Sequence, residues 1–577
     1  MRPSLLLVIA LFPASAGAQQ PQDPYQATPR QYPQSGYSQV QYQGSYPQAQ
    51  AQPSPYQYPQ NGYQQYPQPA PYQQPYTQSP QPPAAPAPPP RPTGKLALST
   101  HSRDVAGLVT ECANAIDNDH LDIARGKCRD ALAKEDGLAF AHYLLAESES
   151  PDIANKELAR AAELAKAGQT TRGERLFIDA YRAIGANRLE DARKGYEELT
   201  RVLNNEARAL VARGRFRLEI VGDAEGAAAD FQKVIGMDAK YPAAYGFLGA
   251  ALTAGGKLDD AQAALAKYNE LAPKEPKPLA ELAQLALARG TSDEAVTQAK
   301  KSLALDPKFA TAIATLGDAL QFSGRGREAR KAYAALIAND DAAVHHLGAM
   351  RDARSFLFDN RNGDAERALA AEADLAAKTR RPGDQADALV ELARMQLDRG
   401  AVTEAGQSLR QARTVLEGTT AAGLTTERER QHLLAEALHV RAMVLGAIGE
   451  RQLAEARADE MGAMLKLAGD AHAGRKATAL KGWIAARNSD DKVALAQLAE
   501  AERPTLRMAL ALAAARSGDE ARAHQVMEEL ARRAVNDLEG ALTRSRAGAW
   551  LKAHPASNAT APAPAAPVQS VSQSVIL

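Results

Sequence analysis

Large rings are scarce in this chain: aromatic residues make up 5% of its 577 positions, and tryptophan occurs twice. Many of the tyrosines fall in the first 80 residues. The remainder must build its interior from Ala and Leu, which suits helices packed at close range. Net charge is missing as well. Lys and Arg total 68, as do Asp and Glu, which argues against a chain-wide electrostatic footprint for nucleic acid. The basic spots Arg380-Arg381 and Arg532-Arg533 are short, have acidic neighbours and read as solvated faces. Beyond the N-terminus no stretch is apolar enough for a transmembrane helix.

Catalytic signatures are also lacking. There is no glycine-rich phosphate loop, no G-x-S-x-G elbow and no H-E-x-x-H. His345 and His346 are adjacent on a helix, point about 100° apart and do not readily share a metal. His432 and His439 share a face but stand about two turns apart. These four read as surface or interface histidines. The run Asp359-Asn360-Arg361-Asn362-Gly363-Asp364 resembles a calcium loop only superficially, because Phe358 stands where the first ligand is needed. A helix–helix turn with Asp364 near an N-cap is the better reading. No catalytic residue, metal or cofactor is assigned, and the chain is read as no enzyme.

The N-terminus has the pattern of an export signal over residues 1–18. Arg2 supplies a positive start, Leu5 to Phe12 is apolar, and Ala16-Gly17-Ala18 places small residues before Gln19. A retained N-terminal anchor is the alternative. With the Ala-, Arg- and Asp-rich style, this points to a Gram-negative bacterium and to a periplasmic or outer-envelope location. The two cysteines, Cys112 and Cys128, would then lie in an oxidising space. They are almost symmetric about Asn118-Asp119-His120, so an antiparallel helix hairpin sets them at similar heights. Either they form a disulfide closing a loop of roughly 17 residues, worth ~3 kcal/mol, or they are two buried small hydrophobes.

Residues 19–94 are a low-complexity segment of Gln, Pro, Tyr, Ser and Ala. Too few aliphatic side chains are present to offset the entropy of ordering, so the segment is expected to be disordered. It reads either as a spacer or as a sticky segment that touches cell wall, a partner or other copies. Residues 554–577, rich in Ala and Pro, read as a disordered tail.

Between these ends, apolar residues recur at three and four, with short Gly, Asn or Asp breaks. This predicts an all-α chain of paired helices. Ala227, Ala261, Ala295 and Ala329 are spaced by 34 residues, and Ala192 precedes them by 35. Each is followed four residues later by Phe231, Leu265, Ala299, Tyr333 or, after Ala192, Tyr196. One unit runs Tyr245, Leu248, Gly249, Leu252, Ala261, Leu265, Pro273. The next runs Leu279, Leu282, Ala283, Ala295, Pro307, and the third Ile313, Leu316, Gly317, Leu320, Ala329, Tyr333. These units resemble the tetratricopeptide repeat (TPR) family. The resemblance implies an α-solenoid of stacked helix hairpins, about eleven or twelve pairs here. It thins outward: Arg215 sits where a small residue is expected. The expected layout is a repeat block over 95–416, a spacer over 417–426, and degenerate repeats with a capping helix over 427–553.

In this family the ligand usually lies in the concave groove lined by first helices. Carried over unit by unit, the groove positions are Phe177, Tyr181, Phe216, Ile220, Gln284, Asp318, Gln321, Phe322 and Arg394. The clamp that grips chaperone carboxyl ends is not expected, because Gly246, Ala280 and Ala314 occupy its lysine position. The resemblance implies protein or peptide partners. The leading expectation is a scaffold that docks partners of an envelope assembly or export system. Two alternatives stay open: an accessory protein of exopolysaccharide secretion or biofilm formation, and a structural or adhesive protein that meets polysaccharide or cell wall through the Tyr/Gln/Pro-rich segment.

Overall fold

The computed structural model describes residues 10–14, 94–419, 424–470, 472–533, 535–555 and 569–573. Most of the expected export signal, the Gln/Pro/Tyr-rich segment up to residue 93 and most of the tail lie outside these. Ala10–Ala14 and Gln569–Gln573 pair as two antiparallel strands, with Phe12 opposite Val571. From residue 94 to 555 every regular element described is a helix.

The helices form twelve consecutive hairpins. The first six are Arg103–Asp117 with Leu121–Lys134, Ala139–Ser148 with Pro151–Lys166, Arg172–Gly185 with Leu189–Val202, Ala207–Arg215 (continued by Phe216–Val221) with Ala224–Met237, Pro242–Ala254 with Leu258–Leu271, and Lys277–Ala288 with Ser292–Leu305. The last six are Ala310–Phe322 with Gly326–Ile337, Ala342–Phe358 with Asn362–Lys378, Pro382–Asp398 with Val402–Thr419, Glu427–Ala447 with Arg451–Leu467, Ala473–Arg487 with Asp491–Gln497, and Pro504–Arg516 with Glu520–Arg532. A single helix, Leu538–Ala553, closes the series. Residues 417–419, assigned to a spacer from the sequence, continue the helix Val402–Thr419.

Small residues set the helix spacing. Ala192, Ala227, Ala261, Ala295 and Ala329 are all wholly buried. A Cβ on Gly249 would overlap Cγ and Cδ2 of Leu265, and one on Gly317 would overlap the ring of Tyr333. The bare backbone thus makes room for the large residue of the partner helix. The turns repeat too: Gly256, Gly290 and Gly324 hold φ of 74°, 79° and 78°. Asp119 and Asn187 take the same left-handed turn with side chains, which those two residue types tolerate best after glycine.

The fourth hairpin explains its irregular sequence. The first helix ends in a π-helical turn, Phe216–Val221, which takes up one extra residue. The small position is therefore Gly214, not Arg215. A Cβ on Gly214 would lie 2.6 Å from Phe231 Cε1. The same insertion accounts for the 35-residue step from Ala192 to Ala227. Asp230, wholly buried, accepts from Arg213 Nε at 2.9 Å and pairs with Arg217 at 2.8 Å, holding the turn against the second helix.

The disulfide between Cys112 and Cys128 joins the helices of the first hairpin, with Cα atoms 5.4 Å apart. A strap over residues 94–101 lies across the third and fourth hairpins. Glu174, wholly buried, completes a capping box with Thr171 and also accepts from Ser99 N at 2.9 Å. Asn205 N donates to Gly94 O at 2.9 Å.

Candidate interaction groove

A stack of hairpins exposes an inner wall made mainly of first helices. Here that wall is met by the turn of the first hairpin, Asp117-Asn118-Asp119-His120. Tyr268 OH donates to Asn118 Oδ1 at 2.7 Å. Tyr241 OH and Arg208 Nη2 donate to Asp117 Oδ2 at 2.7 and 2.9 Å. Lys277 Nζ donates to Asp117 O at 2.8 Å and lies 3.1 Å from Asp119 Oδ2. His120 Nε2 lies 2.7 Å from Glu275 Oε2. Behind the turn, Leu121 packs in the same core cluster as Ala286, Ala310 and Ile313, and Arg125 pairs with Asp341 at 2.9 Å. The first hairpin is thus seated on the fourth to eighth.

Burial shapes the charges of this cradle. It pushes the Asp119 carboxyl up against the opposing pull of Lys277. Burial likewise pushes Glu281 up to about 7, with Lys277 opposing and Asp119 adding. Burial disfavours the Lys277 ammonium, but Asp119 and Glu281 outweigh it and its pKa is raised. Gly246 leaves the space that Tyr268 and Glu281 occupy, since a Cβ there would lie 2.6 Å from Tyr268 Cε1 and 3.0 Å from Glu281 Oε2. None of these cradle residues was singled out as a groove contact from the sequence. Their partners lie 91 to 160 positions away along the chain, beyond the reach of a local pattern.

Eight of the nine groove positions expected from the family fall into three groups. Phe177, Tyr181, Phe216 and Ile220 lie in or against one apolar cluster with Phe140, Tyr143 and Tyr196. Phe177 meets Phe140 edge-on with centroids 5.3 Å apart, and Phe216 lies 5.0 Å from Tyr196. Phe177 is 1% and Phe216 4% exposed. Asp318, Gln321 and Phe322 face the segment leading into the closing helix. Asp318 accepts from Asn536 Nδ2 at 2.7 Å and from Tyr333 OH at 2.9 Å. Arg544 lies over the Phe322 ring, 5.1 Å from its centroid, and Phe358 meets that ring edge-on. Gln321 is buried. Arg394 pairs with Glu436 and lies 3.9 Å from Glu539. Arg503 bonds both of those carboxylates, at 2.9 and 2.5 Å. Gln284 stands apart from these groups and is half-buried. At Phe177, Phe216, Asp318 and Gln321 this chain's own residues cover the wall, and a ligand reaching them must displace those residues.

The array is also bonded across its length. Asn187 Nδ2, in the turn of the third hairpin, donates to Gln431 Oε1 at 2.5 Å and to Leu467 O at 2.9 Å in the tenth. Arg428 Nη2 donates to Ile220 O, in the π-helical turn, at 3.3 Å.

Among the described residues no helix is long and apolar enough to cross a membrane. No functionally curated protein matches the chain in sequence. Solved structures similar to parts of it include a thermophilic TPR protein from Thermus thermophilus, at 17% identity and TM-score 0.29, covering 33% of this chain and 99% of that one. A second is PilW, a type IV pilus biogenesis factor, at 16% identity and TM-score 0.25, covering 41% of this chain and 94% of that one. A third is a tetratricopeptide repeat protein from Parabacteroides merdae ATCC 43184, at 14% identity and TM-score 0.29, covering 47% of this chain and 92% of that one. The model of the tetratricopeptide repeat family matches residues 221–285, which take in the second helix of the fourth hairpin and the whole fifth hairpin and run into the first helix of the sixth. That match lies inside a series of stacked hairpins on a 34-residue spacing: residues 221–285 carry tetratricopeptide repeat sequence, and the fold around them is a stack of TPR-like hairpins.

Proposed function

We propose that this protein is an exported scaffold of the bacterial envelope. It docks protein partners of an assembly or export system on its hairpin walls and performs no catalysis itself. The fold supports protein binding in general. The observation that carries the reading is the cradle around Asp117–His120. Arg208, Tyr241, Tyr268 and Lys277 hold a folded acidic turn through both side-chain and backbone acceptors. Such a wall has the chemistry of a polypeptide receptor. Export is supported by Arg2, the apolar run Leu5 to Phe12 and the small residues before Gln19. The Cys112–Cys128 bond is in keeping with an oxidising compartment.

Chemical crosslinking in envelope fractions, followed by affinity capture and re-measurement with purified components, tests the scaffold role. A partner protein that binds the purified chain saturably is the expected result. Recovery of no partner after crosslinking overturns the reading. Sequencing the N-terminus of the protein isolated from cells tests export: a start at Gln19 is expected, and a start at Met1 removes the cleaved signal.

A further inference from the structure

The groove positions Asp318, Phe322 and Arg394 are covered by one segment, the closing helix Leu538–Ala553 with the turn that leads into it. Asn536 Nδ2 donates to Asp318 Oδ1 at 2.7 Å and to Tyr333 OH at 3.0 Å. Arg354 Nη1 donates to Asn536 O at 3.1 Å. Arg503 Nε donates to Glu539 Oε1 at 2.7 Å, and Arg394 Nε lies 3.9 Å from the same oxygen. Arg544 lies over the Phe322 ring, and Arg546 Nη1 donates to Asp398 Oδ1 at 2.6 Å. The closing helix thus bears on the first helices of the seventh, eighth and ninth hairpins.

What holds it there is mainly polar. Its buried apolar side chains are Leu538, Ala541 and Ala547, and Glu539 and Thr543 are buried beside them. Leu542, Trp550 and Leu551 are only partly buried. The preceding helix Glu520–Arg532 buries Ala523, Val526, Met527 and Leu530. Burial of an apolar face is the main source of helix stability in a fold, so the closing helix loses comparatively little on leaving. The fit is also incomplete. Among the described residues, Gln321 Oε1 and Arg394 Nε on the wall and Asn536 Oδ1 on the segment are buried without a hydrogen-bond partner. A better-matched occupant recovers the free energy that such groups cost. Gly548 weakens the helix further. A Cβ there would meet nothing within 4 Å, so no close contact calls for glycine, which is among the poorest helix formers.

We propose that the closing helix is an autoinhibitory latch: it fills the seat of a partner protein's helix and swings out when that helix arrives. The inference rests on the docking role proposed above and adds the chemistry of the docked segment. That segment carries a carboxylate in the place of Glu539, to meet Arg394 and Arg503, and an amide three residues before it, to meet Asp318 and Tyr333. It displaces the resident helix by pairing Gln321 Oε1 and Arg394 Nε, which the resident leaves unpaired. With the latch shut the groove is closed. The apparent affinity for a partner is then the intrinsic affinity reduced by the fraction of molecules in which the latch is open.

A fluorescein-labelled synthetic peptide with the sequence of residues 533–555 is titrated into the full-length protein and followed by anisotropy. Saturable binding of one equivalent is expected. Leu538→Ala, made in the protein and not in the peptide, removes the one buried leucine of the latch and should tighten binding roughly tenfold or more. Gly548→Ala firms the latch and should weaken binding by up to about fivefold. A peptide carrying Glu539→Gln should bind more weakly to every form. Circular dichroism checks that the variants fold, and the opposite sign expected of Gly548→Ala keeps the test alive if Leu538→Ala does not. Absence of saturable binding to every folded form overturns the latch, and so does binding that neither substitution changes. Peptide exchange reads the latch alone. Partners captured by crosslinking that bind the wild type and Leu538→Ala equally remove the latch and leave the scaffold role standing, whereas recovery of no partner removes that role without touching the peptide result.

Discussion

Lys277 and Asp119 face each other at 3.1 Å across the seat of the first hairpin, each side chain 9% exposed. Removing one partner leaves the other charged and buried, which costs about 3–5 kcal/mol. Lys277→Met should lower the free energy of unfolding by that amount in urea titration. The double variant with Asp119→Asn should lose less than the sum of the two single changes. Strict additivity would mean that the two side chains do not interact.

Two buried sites should respond to acid in opposite directions. Burial, with help from Asp119 and against Lys277, raises Glu281 to about 7, from about 4.3 in an unfolded chain. The folded form holds a proton that the unfolded form releases. Stability from this group is complete below the lower value and is lost as pH climbs through the upper one, on the order of 3 kcal/mol. Burial lowers His432 and His439 to about 3, aided by Arg428 for the first and Arg503 for the second. Their contribution is complete above about 6.5 and is lost as pH falls towards the folded value. Hydrogen exchange, corrected for intrinsic rates, should show the Asp117–His120 seat better protected at pH 5 than at pH 8. The tenth hairpin should show the reverse. Parallel changes in both regions would sink this assignment.

Gly317→Ala should destabilise by about 1–3 kcal/mol through overpacking. The Tyr333 ring it would strike is held by Asp318 and Asn536. Gly249→Ala should destabilise as well, because the new Cβ would lie 2.6 Å from Cγ of the buried Leu265, which rotation of the side-chain tip does not move. Alanine's gain of about 1 kcal/mol in helix propensity offsets part of each loss. Thermal unfolding of the two variants is the measurement, and an unchanged midpoint in either would contradict it.

Reducing the Cys112–Cys128 bond, whose partners are 16 apart in sequence, should lower stability by about 3 kcal/mol. The double Ser variant should reproduce the loss without reductant. Because the bond holds the helices that carry Asp117 and Leu121, the loss should appear first as increased exchange at that turn. A midpoint in urea unchanged by reductant would refute this.

The repeat was legible because its physics is local. Ala261, Leu265 and Gly249 answer one another within a single hairpin, so spacing alone reveals them. The π-helical turn was half legible: the 35-residue step from Ala192 recorded the extra residue, but no propensity marks where a helix widens, and Arg215 was read in the place of Gly214. The occupied groove was not legible at all. Asp117 finds Arg208, Tyr241 and Lys277 only after the intervening hairpins have curved the wall into reach. Groove positions carried over from the family assumed a bare wall, and Phe216 and Asp318 instead meet this chain's own side chains.

Asn187 reaches Gln431 and Leu467 across 244 and 280 positions of sequence. An open stack of repeats can fray one unit at a time from either end, as neighbours alone hold each unit. A stack fastened to itself part-way along loses that freedom, because slackening anywhere between the third and tenth hairpins pulls on the fastening. Under tension such a protein should hold its length and then yield abruptly, more like a buckled belt than a spring.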